Sequence, residues 1–140
     1  MEASIIAKAA EATLRGTSAF PEIVSMLIEA GVEYYHVDYA GRSKSFFAAD
    51  GSRVVTLISY DSLPAISPEF DAAALKAAIL DSQRNGQKFY DFSVRAMRAG
   101  VQGYYAFLRG KRVTYFGRTG DSHTEWFPGA GPETTQRSEA

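Results

Sequence analysis

The chain has two histidines, and each stands two residues before a carboxylate, in His36-Val37-Asp38 and His123-Thr124-Glu125. On a β-strand residues i and i+2 project from one face, so each pair would present an imidazole and a carboxylate together. Two imidazoles with one or two carboxylates can form the ligand shell of a divalent metal, with His36 and His123 as nitrogen donors. The same groups can act as an acid and base pair. Either chemistry requires His36, Asp38, His123 and Glu125 to converge on one site, although 87 positions separate the histidines (123 − 36 = 87). A plainer reading stays open. The solvent face of an antiparallel sheet is normally polar, and opposite charges across strands contribute only about 0.2–1 kcal/mol.

Other chemistry is constrained by composition. No cysteine occurs, which removes disulfides, thiolate zinc sites and thiol redox chemistry. There is no phosphate loop and no nucleophile elbow. Arg118, between Gly117 and Gly120, could hold an anion in a hairpin or be a solvated turn arginine. With 15 Lys and Arg scattered among 16 Asp and Glu, no basic stripe is available to neutralise phosphates, so no nucleic-acid partner is expected. Met1-Glu2-Ala3-Ser4 begins with an acid and no long apolar run follows. A signal peptide, a membrane span and a membrane partner are therefore not expected, and the cytoplasm is the expected location.

The elements that would position these residues come from an internal duplication. Residues 15–52 align without a gap on 84–121 when Tyr35 is laid on Tyr104 (104 − 35 = 69), giving nine identities in 38 pairs. Unrelated sequences would give roughly two. Apolar residues at helical spacing predict a helix over 3–14, stopped by Arg15-Gly16, and a second over 21–30, ended by Gly31. In the second copy Ser67 is expected to cap a helix that starts at Pro68 and stops at Asn85-Gly86; Phe92 to Ala99 repeat the second helix, ended by Gly100. Three strands follow in each copy, over 33–39, 44–48 and 53–59, then 102–108, 112–117 and 122–127. Gly41, Gly110, Gly51 and Gly120 are expected to take positive φ in the tight turns between them.

The chain is thus read as an α+β domain over 1–128, built from two α-α-β-β-β units (3–59 and 68–128) related by a pseudo-twofold axis, with antiparallel sheet packed on helices. Residues 129–140 read as a disordered tail. Tyr35, Tyr39, Tyr104, Phe47 and Phe116 are expected to pack beneath the helices. Tyr34, Tyr105 and Phe107 would lie on the opposite, open face, where aromatics of this size call for a second copy of the chain or a small-molecule ligand.

The sequence resembles domain of unknown function family 1398, some of whose bacterial and prophage members carry the label "phage envelope protein-like". The resemblance is carried by Ala30-Gly31-Val32 leading to Tyr35-His36-Val37-Asp38, and by Ala99-Gly100-Val101, Gly103-Tyr104 and Gly110-Lys111-Arg112-Val113. It continues through Tyr115-Phe116-Gly117-Arg118-Thr119-Gly120 and His123-Thr124-Glu125 to Phe127-Pro128, and so spans Phe20 to Pro128. It implies no reaction, cofactor or ligand. The preferred reading from sequence is a non-enzymatic binding or protein-interaction module; the alternative is a small metal-dependent or acid-base enzyme using His36, Asp38, His123 and Glu125.

Overall fold

A computed structural model describes residues 1–131. The first copy folds as α1 (Ala3–Arg15), α2 (Phe20–Glu29), β1 (Tyr34–Asp38), β2 (Ser43–Phe47) and β3 (Arg53–Leu57). The second gives α3 (Ala72–Asn85), α4 (Phe89–Arg98), β4 (Val101–Phe107), β5 (Arg112–Gly117) and β6 (Ser122–Trp126). Shifting α2 and β3 by 69 residues reproduces the bounds of α4 and β6. All pairings are antiparallel, and the strands form one six-stranded sheet in the order β3-β2-β1-β4-β5-β6.

The two copies meet at the β1–β4 pairing. His36 lies opposite Tyr105, which is its own counterpart in the repeat (36 + 69 = 105), so the pseudo-twofold axis passes through this residue pair. The four helices cover one face only. Counterparts fill the same core positions there: Ile6 with Leu75, Ala9 with Ala78, Ala30 with Ala99, Tyr35 with Tyr104 and Phe46 with Tyr115 are all buried. A buried hydrogen bond of 2.9 Å from Tyr39 Oη to Ser93 Oγ ties the first half's sheet to the second half's helix.

Several local expectations are corrected. The helix expected to start at Pro68 starts at Ala72, because Asp71 rather than Ser67 supplies the cap; its Oδ1 accepts from the Ala74 N–H at 3.0 Å. Gly51 and Gly120 take positive φ, but in the β1–β2 and β4–β5 turns that conformation falls one residue after the glycine, on Arg42 (φ 55°) and Lys111 (φ 56°). What Gly41 supplies is room. A Cβ there would come within 2.5 Å of Asp38 Oδ2, and the Gly41 N–H donates to Asp38 Oδ1 at 2.9 Å. Phe47 and Phe116 lie on the open face, since Phe47 is opposite Tyr34 while Phe46 is opposite the buried Tyr35. Pro128 to Gly131 form a turn in which the Ala130 N–H donates to Phe127 O and Gly131 lies against the Trp126 ring; the rest of the segment read as a tail, residues 132–140, is outside the described residues.

Candidate functional site

The four residues expected to converge are divided between the two faces of the sheet. In β1, Tyr35 and Val37 are buried under the helices, so His36 and Asp38 point to the open face. In β6, His123 lies opposite Tyr115 and Glu125 opposite Val113, both buried under the helices, so this pair points the other way. The strands β4 and β5 also lie between β1 and β6. Three spacings of about 4.8 Å put the two strands roughly 14 Å apart. The expected convergence therefore does not occur, because the strand order separates the pairs and the alternation points them to opposite sides.

Each residue has a local partner instead. The His36 ring stacks on Tyr105 with centroids 4.4 Å apart, and burial holds its pKa below the usual imidazole value while Asp38 acts in the opposite sense. Asp38 is occupied in closing the β1–β2 turn. His123 Nε2 and Glu125 Oε1 are 3.1 Å apart. Among the described residues no group of three or more His, Cys, Asp or Glu is placed to hold a metal ion.

The open face carries Tyr34, Tyr105 and Phe107 as the alternation implied. Tyr34 stacks on Phe47 at 4.8 Å, Tyr105 on Phe107 at 5.8 Å, and Tyr105 meets Phe116 edge-on at 6.4 Å. Arg118 Nη1 donates to the Ile66 carbonyl at 3.2 Å, which fastens the β5–β6 turn to the segment joining the halves.

A cleft lies on the helix side. Between the α1–α2 pair and the α3–α4 pair the helices leave a cleft of about 660 Å³. Its lining comes in counterpart pairs, Phe20 with Phe89, Ile23 with Phe92, Tyr35 with Tyr104 and Lys44 with Val113, so the cleft lies on the pseudo-twofold axis. A volume of this size suits a small organic ligand, and apolar walls with few polar groups are the usual construction of such sites. The symmetry is broken where charge enters. On β2 the floor carries Lys44, whereas β5 has Val113; on β6 it carries Glu125, whereas β3 has Thr56.

Lys44 is the chemically conspicuous residue. Alternation on β2 places it and Phe46 on the helix face, and it is only 4% exposed. Its Nζ sits 3.8 Å from the centroid of the Phe89 ring, a cation–π contact, and no ion pair reaches it among the described residues. Burial lowers its pKa from 10.5 to about 7. Burial raises the Tyr35, Tyr104 and Tyr115 hydroxyls above the usual phenol value, so these cleft side chains stay neutral near pH 7. Sequence reasoning passed over Lys44, which reads as an ordinary polar strand residue. The signal was its pairing with Val113 in the repeat, which puts a charge where the other copy has a core residue.

The fold thus defines an internally duplicated α+β protein with helices on one face of an antiparallel sheet. The family model described as "Protein of unknown function (DUF1398)" matches residues 8–123, and the chain belongs to that family. No curated protein matches the chain. Among the described residues no helix is long and apolar enough to cross a membrane.

Proposed function

We propose that the protein is a non-enzymatic binding domain that takes a small molecule into the cleft between its helix pairs. The observation that carries this reading is the cleft itself, about 660 Å³ on the pseudo-twofold axis, floored by tyrosines and one lysine that has no ion pair among the described residues. A packed core leaves few voids larger than a water, so an opening of this size at the junction of two repeats calls for an occupant. The lack of cysteine fits work in the cytoplasm. Methyl NMR with a mixed library of small organic compounds tests the reading. Binders should shift the Ile23, Ile79 and Val113 methyls and leave Val55 and Leu57 on the sheet's far side unmoved; a library without a single cleft binder would sink it.

A second reading concerns the open face, where Val55 is 47% and Leu57 70% exposed beside the aromatic ladder. That apolar area favours contact with a second copy of the chain. Light scattering at rising concentration should then exceed the monomer mass of 15.3 kDa, with broadening confined to Val55 and Leu57. A constant monomer mass would remove this reading without touching the cleft.

A further inference from the structure

Resting on the cleft reading above, we infer that the ligand is a carboxylic acid with an apolar body, its acid group paired with Lys44 and its body lying on the tyrosine floor. Lys44 is almost wholly buried, lines the cleft and has no carboxylate partner among the described residues. A buried ammonium without an anion is unfavourable, and natural interiors either pair such a group or neutralise it. An incoming carboxylate supplies the missing partner.

The rest of the lining sets the size and polarity of the ligand. Tyr35 and Tyr104 lie between the ends of the cleft, with Ile23 and Phe92 as walls, so the body of the ligand meets rings and aliphatic carbon. Glu125 is on β6, four strand spacings from Lys44 on β2, or roughly 19 Å at about 4.8 Å each. It repels an anion from that end and so orients the acid toward Lys44. The floor offers a single point cation and no guanidinium fork, which suits a monoanionic carboxylate better than a dianionic phosphate. The charged groups around the cleft are Lys44, Glu125 and Lys88, and the tyrosine hydroxyls near them remain neutral at working pH. Because burial lowers the Lys44 pKa to about 7, an acid bound above that pH restores the ammonium and draws a proton from the buffer.

Titration calorimetry on the full chain with 2-naphthoate and decanoate, each against its neutral alcohol, tests the inference. At least one acid should bind about ten-fold or more tighter than its alcohol, and at pH 8.5 its heat should vary with buffer ionisation enthalpy in the sense of proton uptake. Lys44→Met should erase both the preference and the proton uptake while leaving the alcohol's affinity within about two-fold. Lys44→Met removes a buried charge, so its folding is not at risk, and a thermal melt checks it. Equal affinity of acid and alcohol, or a preference that survives in Lys44→Met, would overturn the acid while the cleft reading stands. Binding of none of the four compounds also overturns it, and the methyl NMR library then decides the cleft reading separately.

Discussion

The first and second halves of the molecule share their deep core and differ at the surface they enclose together. Ile6 and Leu75, Ala9 and Ala78, and Tyr35 and Tyr104 occupy matching buried positions. At the cleft, by contrast, Lys44 stands against Val113 and Glu125 against Thr56. Packing constrains both halves alike, because each helix pair must bury its apolar stripe on the same sheet. A cleft on a symmetry axis has no such need for identical walls, since a ligand without twofold symmetry is best met by different groups on each side. The proposed ligand site would draw on this asymmetry, which sets one cation and one carboxylate at opposite ends of the cleft.

The largest expected effect tests the shared half of this comparison. Ile6→Ala and Leu75→Ala both truncate fully buried side chains on counterpart helices. Each should destabilise the chain by about 2–5 kcal/mol, as cavity-forming core substitutions do. Urea denaturation of the two variants checks it. A loss below about 1 kcal/mol in either half would show that the core is not shared as described.

The next effect sharpens the difference. Lys44 has its pKa lowered from 10.5 to about 7, so between those values the unfolded chain holds a proton that the folded chain lacks. Stability from this group then rises with pH over that window, and below it the native state bears the full penalty of a buried ammonium. Lys44→Met should stabilise the empty protein at pH 6–7 by on the order of 2–4 kcal/mol, with the gain shrinking toward pH 10. Val113→Lys should act in the opposite direction. Thermal melts across this pH range measure both, and a Lys44→Met variant no more stable than the parent would mean that the ammonium is already compensated.

The repeat was legible because nine identities in one register cannot easily arise by chance, and it located the ten helices and strands of the described residues to within a few positions. The strand order was not legible. Alternation places His36 with Asp38 and His123 with Glu125 on one face each, but only the pairing of β4 between β1 and β5 reveals that the two faces are opposite. The start of α3 was misplaced because Ser67-Pro68 carries the same local signal as a cap, while Asp71 makes the actual bond to Ala74. Phe46 and Phe47 are adjacent aromatics, and nothing local says which one faces the helices; the register against Tyr35 and Tyr34 decides it. The cleft arises from the spacing of helix pairs, a tertiary property with no one-dimensional trace. Among its features Lys44, a charge aligned with a valine, and Glu125, a charge aligned with a threonine, left a mark.

A smaller contrast lies at the helix starts. Asp71 caps α3 by accepting from Ala74 N–H at 3.0 Å, whereas Glu2, its counterpart on α1, makes no side-chain cap. Asp71→Ala should cost about 1 kcal/mol, and Glu2→Ala should stay within roughly 0.5 kcal/mol. Chemical denaturation of the pair is the check, and equal losses would mean that the cap contributes nothing particular to the second half.

The smallest effect concerns the axis itself, where one member of a symmetric residue pair is an imidazole. His36 stacks on Tyr105, and burial lowers its pKa below the ordinary value of 6.5, with Asp38 opposing. The sign follows from which state binds the proton. As pH falls through 6.5 the unfolded chain takes up a proton before the folded chain does, so this group's contribution to stability falls with falling pH and is restored above 6.5. Replacing His36 by tyrosine makes the two halves alike at this position and removes the titration. His36→Tyr should therefore lose less stability than the parent between pH 7.5 and pH 5, and the difference should be smaller than any of those above, since the group is only partly buried. Denaturation curves at several pH values, compared between parent and variant, measure this contribution. If the parent instead gained stability relative to the variant on acidification, Asp38 would outweigh burial, and the pair would be stabilised by the imidazolium rather than by the neutral ring.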